Sequence, residues 1–494
     1  MHLASLVDMV ESGFDDRVLL GAADGAVTGA QLGQLVRRGA STLRGYDALL
    51  YAGENHPLLP VALLAAALAG VPFVPVNYRL EDSQLNNLIA RQRNAFVVAD
   101  ETTVARIATQ AVTFDDWLAS FPALGEAALD DATLDDNAVA VVLYTSGTTA
   151  EPKAALLRHR HLMAYLLGSV EFGSATESEA MLVAVPPYHV AGIANMLSNL
   201  FAGRRLVYLR AFEPLLWLDT VRAERVTNAM VVPTMLSRIV DSANGNLAND
   251  NVVNDRSASV PSLRTLSYGG AKVSERVLIE ALRMFPTTGF VNAYGLTETA
   301  STIAVLSPED HRAAVASEDP TIRRRLASAG QVLPTVEVDI RDGVIFVRGE
   351  QIAGEYASGS VLDSDGWFCT RDSGWLDADG YLFIDGRVDD TIIRGGENIA
   401  PAEIEQVLLG HPAVAEVCVV GPPDDEWGQR IVAVVVLRDG AHVAAEELQA
   451  RVRAELRGSK TPEAILFRSE LPHTETGKLL RRIVLQQIEG DHPQ

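Results

Sequence analysis

The stretch Leu143–Lys153, LYTSGTTAEPK, gathers Thr145, Ser146, Thr148 and Thr149 around Gly147 and then sets a lysine behind a proline. It follows NAVAVV (137–142), an apolar run rich in β-branched valines that reads as a buried strand. A buried strand that runs out into small hydroxyl residues leaves backbone N–H and side-chain O–H groups free to surround an anion. Lys153 adds a compact positive charge beside them. The stretch is no Walker A loop, since it lacks the G-x-x-x-x-G-K-[ST] spacing. Gly477-Lys478 lacks it too, with Pro472 where the first glycine would stand. By composition alone the segment fits a phosphate loop and a Ser/Thr-rich surface turn equally.

The rest of the chain bounds the choice. With 494 residues it exceeds one hydrophobic core, so more than one domain is expected. Hydrophobic residues at 48% and charged residues at 21% match an ordinary globular enzyme. A formal net charge of −23 argues against nonspecific binding to nucleic acid or to an anionic membrane. Cys369 and Cys418 match no metal or redox spacing, which points to a reducing, cytoplasmic location. MHLASLVDMVESGFDD carries early acids and no basic leader, unlike a signal peptide. Pro57–Val76 is 20 residues without a charge, long enough in principle to cross a bilayer. Four prolines and Gly70 interrupt it, so the expectation is a buried helix over Leu58–Ala69, a stop at Gly70, and a strand in VPFVPV. No integral membrane segment is expected.

Apolar β-rich runs alternate with helical patterns through most of the length: ALLYAG before the Ala/Leu helix, NAFVVAD before VARIATQ, MLVAVPPYH before GIANMLSNLFAG, then NAMVVPTMLSRIV and LRTLSYGG with VLIEALRMF. This order implies parallel sheets covered on both faces. ANGNLANDNVVND (243–255) reads as an Asn-rich surface loop. Beyond about Ser328, period-2 alternation around Asp342-Gly343 and Asp379-Gly380 signals hairpins in a β-rich portion. After Arg387 a helix opening on Pro401, two valine-rich strands and a helix near 444–458 form a compact α+β unit. The fold class is therefore α/β, with a large N-terminal domain of layered α/β subdomains plus a β-rich subdomain, and a small mobile α+β C-terminal domain.

Taken together, the motifs resolve the ambiguity of the first stretch. It resembles the phosphate loop of the adenylate-forming superfamily, which includes acyl- and aryl-CoA synthetases, and His159 stands where that motif has its histidine. Five further segments resemble family motifs in order: PPYHVAG (186–192), SYGGA (267–271), NAYGLTET (292–299), Gly366–Glu405, and PHTETGKLLR (472–481). The resemblance covers essentially the whole chain and implies an N-terminal AMP-binding domain over 1–388 and a C-terminal lid over 389–494.

The resemblance also implies roles, each with a physical rationale. Thr145, Ser146, Gly147, Thr148, Thr149 and Lys153 would hold the pyrophosphate end of ATP. Thr297 and Glu298 follow the strand-like GFVNA, and ligands of open α/β sheets bind at strand carboxyl ends. Thr297 would meet the α-phosphate, while Glu298, with Thr145, would serve Mg²⁺, a cation that takes oxygen ligands. Gly269, Gly270, Ala271, Tyr294 and Gly295 resemble the adenine pocket. Asp372 would accept the ribose hydroxyls, and Arg387 would contact ribose and phosphate. Lys478 would bridge the substrate carboxylate and the α-phosphate, where charge builds in the transition state. Asp389 resembles the hinge about which the lid turns. Gly395, Gly396 and Glu397 then face the site, the glycines admitting a pantetheine arm. His189 stands near the acyl carbon, to gate the thiol or orient the carboxylate.

The expectation is thus an ATP- and Mg²⁺-dependent carboxylate–CoA ligase acting through an acyl-adenylate on a mainly apolar fatty, alicyclic or aromatic acid. Its partners are the acid, ATP and coenzyme A, with no nucleic acid; a homodimer is left open. The alternatives are an enzyme that loads a carrier-protein thiol and a noncatalytic nucleotide-binding homologue. The retained Glu298, Asp372 and Lys478 speak against the latter. The chain departs from the family pattern at Ala150 and Ala154, which replace glycines of the phosphate loop. It departs again at Arg371, where a glycine usually precedes the ribose aspartate, and at Lys272, which replaces a common proline.

Overall fold

The computed structural model describes residues 1–494 except 22–25, 124–134, 146–151, 244–258, 395–396, 425–426, 457, 475–478 and 492–494. The Asn-rich 243–255 stretch thus lies almost wholly outside the described residues.

The run NAVAVV does form a strand, Val139–Thr145, whose residues Ala140 to Leu143 are buried. It sits in an eight-stranded sheet beside Phe73–Pro75, Ala48–Ala52, Ala95–Ala99 and Val112–Thr113, all parallel. The uncharged stretch supplies the helix Leu58–Ala69, buried over nearly all its length. Gly70 ends it at φ 73°, a left-handed geometry that favours glycine. Each of its fully buried leucines contributes roughly 2 kcal/mol of burial. No helix among the described residues is long and apolar enough to cross a membrane.

A second, thirteen-stranded sheet carries Val18–Leu20, Arg205–Tyr208, Ala180–Val183, Asn228–Val231, Thr265–Gly269 and Gly289–Leu296 in parallel. The strands that alternate with helices are parallel as expected, and each sheet is completed by antiparallel strands. The strand Val139–Thr145 pairs with antiparallel Lys153–Arg158. Gly289–Leu296 turns back through Thr297–Thr299 into antiparallel Ser301–Leu306. From there the β-rich portion continues the same sheet through Gly330–Val332, Tyr381–Arg387, Phe368–Leu376, Val344–Arg348 and Glu337–Arg341. The hairpin at Asp342-Gly343 is present as read, with Arg341 paired to Val344 and both turn residues at positive φ.

VARIATQ does not form the expected helix. One turn, Glu101–Val104, is capped by Asp100 and stops there. Tertiary contacts override the helical pattern: the Arg106 guanidinium donates to Tyr78 O (2.6 Å), and Asn86 Oδ1 accepts from Ala108 N (2.7 Å).

The small domain centres on Val414–Val420, antiparallel to Val432–Leu437, which pairs in parallel with Ala464–Arg468. Period-2 alternation divides its faces. Val417 and Val419 pack with the helices Pro401–Leu409 and Ala445–Glu455, whereas Cys418 and Val420 pack with Val484 and Ile488 of the helix Arg481–Asp491. Both cysteines are free thiols, and burial pushes that of Cys418 up to about 12.

Candidate active site

The hairpin of the expected phosphate loop closes on the register Thr145–Lys153, with the Thr145 hydroxyl donating to Lys153 O at 3.3 Å. Ser146, Gly147, Thr148 and Thr149 lie outside the described residues, as does Ala150. Lys153 is exposed, its ammonium 5.8 Å from the centre of the Tyr356 ring, a distance suited to a cation–π contact. Tyr356 reaches this position because Glu355–Tyr356 adds to the hairpin edge opposite Ala155. The half-buried pair between Arg158 and Glu355, two hydrogen bonds of 2.7 and 2.6 Å, fastens that edge. The Arg158 hydrogen bond holds the Glu355 carboxyl below its ordinary range.

The Tyr356 hydroxyl donates to Glu298 Oε1. Glu298 sits in the turn that ends Gly289–Leu296 and is buried. Its backbone carbonyl accepts from Ala353 N and Gly354 N at 2.9 and 3.0 Å. Burial, and then the Glu298 charge, raise the Tyr356 phenol far above its ordinary value, so it stays a donor. One oxygen of a buried carboxylate is thereby fixed by a donor that keeps its proton. Such a hard oxygen fits Mg²⁺, which is bound through one or two carboxylates together with phosphate oxygens.

A second cluster forms around Asp372. The register of Phe368–Leu376 with Tyr381–Arg387 pairs Asp372 with Arg387. Arg387 Nη1 donates to Asp372 Oδ1 at 2.9 Å, and the Tyr294 hydroxyl donates to Oδ2 at 2.6 Å. Asp372 is only 5% exposed. Burial, reinforced by the Asp372 charge, pushes the Tyr294 phenol well above its ordinary value. The neighbouring glycines have steric reasons to be there. A Cβ on Gly269 would stand 2.3 Å from Ala293 O, and one on Gly295 would stand 1.8 Å from Ser301 O. Ala271, just beyond, is exposed. Thr297 opens the Glu298 turn.

Arg371, the residue that departs from the family glycine, holds φ at 60°. Its guanidinium reaches Asp389 Oδ2 at 3.3 Å, so the strand that carries Asp372 is tied to the expected hinge. Lys272, the other departure, donates to Gln406 of the small domain at 3.1 Å. His189 occupies the N-cap position of the helix Val190–Ala202 without a side-chain capping bond, its ring 4.7 Å from that of Tyr188. His159 is buried and stacked on His2 at 3.5 Å, and burial, with the His2 charge, lowers it to about 3. It is therefore a neutral packing residue. Lys478, Gly395 and Gly396 lie outside the described residues; Glu397 begins a short strand paired with Arg394.

Sequence reasoning missed two residues. Tyr356 is separated from Glu298 by 58 positions, in a stretch with no periodicity. Arg481 closes PHTETGKLLR. It bonds Glu405 through both terminal nitrogens, donates to Val419 O, and lies 3.4 Å from Asp390, anchoring the segment that carries Lys478. A lone arginine at the end of a basic run gave no signal for that.

Comparison with known proteins agrees with this geometry. The AMP-binding enzyme family model matches residues 10–357, the AMP-binding enzyme C-terminal domain model matches residues 403–478, and the chain belongs to this family. It is 34% identical to a feruloyl-CoA synthase from an Amycolatopsis species over 92% of this chain and 93% of the relative. It is 32% identical to the indoleacetate–CoA ligase of Aromatoleum aromaticum, covering 93% and 92%. Among solved structures, it resembles the o-succinylbenzoate CoA synthetase of Bacillus subtilis in complex with its acyl-adenylate intermediate. That likeness has a TM-score of 0.80 and 27% identity, covering 97% of each chain. The same enzyme has also been solved with ATP and magnesium ion.

Proposed function

We propose that this protein is an ATP-dependent acid–thiol ligase that converts a carboxylic acid to its acyl-adenylate and then to its CoA thioester. The observation that carries the reading is the pair of carboxylate clusters built on one sheet, Glu298 just past the carboxyl end of Gly289–Leu296 and Asp372 within Phe368–Leu376. Glu298 is held by Tyr356 beside Lys153, and Asp372 is held by Tyr294 and Arg387. The family membership and the CoA-ligase names of the relatives support it.

In this reading Lys153 and the hydroxyl loop bind the pyrophosphate end of ATP, Thr297 meets the α-phosphate, and Glu298, with Thr145, holds Mg²⁺. The ion supplies neutralising charge on the phosphates. Asp372 takes the ribose hydroxyls, and Arg387 turns between ribose and phosphate. Gly269, Gly270, Ala271 and Gly295 leave room for the base against Tyr294. Lys478 stabilises the charge that develops as carboxylate displaces pyrophosphate. The boundary falls at Asp389, about which the small domain turns to bring 395–397 toward the acyl group, with His189 at the thiol entrance. The acid is mainly apolar, and ring acids come first because the relatives above act, by name, on aryl acids. The test is exchange of labelled pyrophosphate into ATP across a panel of chain and ring acids, followed by addition of CoA or of a carrier protein. Exchange that needs the acid, and thioester formed with CoA, are expected; ATP binding without exchange would leave only a nucleotide-binding protein.

A further inference from the structure

Away from the two carboxylate clusters, polar side chains tie the large domain to the small one and to the expected hinge at three points. Lys272, one residue past Ala271, donates to Gln406 Oε1 on the helix Pro401–Leu409 at 3.1 Å. Asp241, on the helix Pro233–Ala243, lies 3.8 Å from Arg438, which follows Val432–Leu437. Arg371 reaches Asp389 at 3.3 Å. One tie therefore sits at the expected hinge, and two sit on elements that follow it. A body held at its pivot and at two further points has one orientation.

Lys272 does more at this seam than bond Gln406. The helix Pro401–Leu409 lies against the strand Tyr381–Arg387. The Lys272 ammonium is within electrostatic reach of Asp385 on that strand and of Glu405 and Glu403 on that helix. Glu403 is bonded by Lys460 and Glu405 by Arg481, both within the small domain. The Lys272 cation thus stands between an acid of the large domain and acids of the small one. Without it, like charges face each other across the boundary, which disfavours this seating.

We infer that Lys272 and Arg371 are positioning residues that hold the small domain in the orientation of this structure, with Arg438 as the third tie. This rests on the ligase reading, in which the small domain turns about Asp389. All three ties join side chains to side chains, so they break without pulling backbone from a sheet or helix. Each exposed polar contact biases an equilibrium by roughly two- to fivefold, and three together by roughly ten- to a hundredfold. That bias makes one orientation dominant and still leaves the other populated, so the ties can be broken in each turnover. Each orientation serves one half-reaction. Ties on one orientation therefore favour one half-reaction at the expense of the other, whereas damage to the fold lowers both.

The test uses the full chain carrying Lys272→Met, Arg371→Gly and Arg438→Gln singly and together. Lys272→Arg serves as the conservative rescue. Gln406→Glu, which sets a carboxylate opposite the Lys272 ammonium, is the variant of opposite sign. Two rates are measured in each: acid-dependent exchange of pyrophosphate into ATP, and CoA thiolysis of supplied acyl-adenylate. Amide hydrogen exchange of the peptide 388–394, which carries Asp389, is followed alongside. In the triple variant the two rates are expected to move in opposite directions, their ratio changing by roughly ten- to a hundredfold, with faster hydrogen exchange at 388–394. Lys272→Arg keeps the wild-type ratio, and Gln406→Glu shifts it the other way. An unchanged ratio in the triple variant, or both rates falling together, overturns the assignment. A wild-type protein with neither half-reaction overturns the ligase reading instead. Hydrogen exchange at 388–394 then decides the ties: faster exchange in the triple variant upholds them, and unchanged exchange overturns them.

Discussion

Tyr294→Phe separates two functions that one residue combines. The ring is proposed to take the adenine, and the hydroxyl fixes Asp372 through a 2.6 Å bond to Oδ2. Phenylalanine keeps the ring and deletes that bond. A hydrogen bond to a buried charge contributes about 1.5–3 kcal/mol. Asp372 retains Arg387 on its other oxygen at 2.9 Å, so the carboxylate stays in place but loses one restraint. The lost free energy divides between folding stability and the positioning of Asp372 for the ribose. At about 1.4 kcal/mol per tenfold, the two together amount to roughly ten- to a hundredfold. Two measurements check this: KM for ATP in pyrophosphate exchange at saturating acid, and the free energy of unfolding in urea. The expected result is a raised KM for ATP with KM for the acid unchanged, and the two losses summing to about 1.5–3 kcal/mol. A variant with both KM for ATP and unfolding free energy at wild-type values would refute the assignment of Asp372 and Tyr294 as one unit.

Acid should weaken the fold through His159 and His161, which burial lowers to about 3 and about 4. Unfolded, each takes a proton near 6.5, so their contribution is complete above that pH and is lost as pH falls toward 3–4, roughly 2 kcal/mol each at pH 5. Urea midpoints at pH 7.5 and pH 5 check this; equal midpoints would contradict it. Arg481→Met strands the largely buried carboxylate of Glu405 and should cost the small domain about 3–5 kcal/mol, seen as a lowered thermal midpoint. Arg371→Gly relieves a left-handed geometry that costs roughly 1–2 kcal/mol. It also gives up an exposed ion pair and rigidity of the unfolded chain, each worth up to about 1 kcal/mol. Its stability should therefore stay within about 1 kcal/mol of wild type, and a loss of 2 kcal/mol or more in urea would show that the Asp389 pair holds more than its exposure implies.

What could be read in advance was whatever depends on local pattern. The strand Val139–Thr145, the helix Leu58–Ala69 with its Gly70 stop, and the hairpin at Asp342-Gly343 follow from burial, left-handed glycine and turn chemistry within a few residues. VARIATQ failed because Arg106 and Asn86 make contacts distant in sequence that no periodicity encodes. The same limit explains the mixed sheets, since whether a strand turns back depends on a few turn residues such as Ala300, at φ 53°. At the site, the charged residues stood in recognisable motifs. Their partners did not: Tyr356 meets Glu298 only because a short strand adds to the hairpin edge, and Arg481 meets Glu405 across 76 positions. Arg371 was visible as a departure from the family glycine; its left-handed backbone and its bond to Asp389 were not.

The central claim is a single site that adenylates with one face of the small domain and forms thioester with another. The most direct measurement follows the two half-reactions separately in Lys478→Ala: acid-dependent exchange of pyrophosphate into ATP, and CoA thiolysis of supplied acyl-adenylate. The account predicts that exchange is abolished while thiolysis proceeds at close to the wild-type rate. Equal loss of both half-reactions would contradict it.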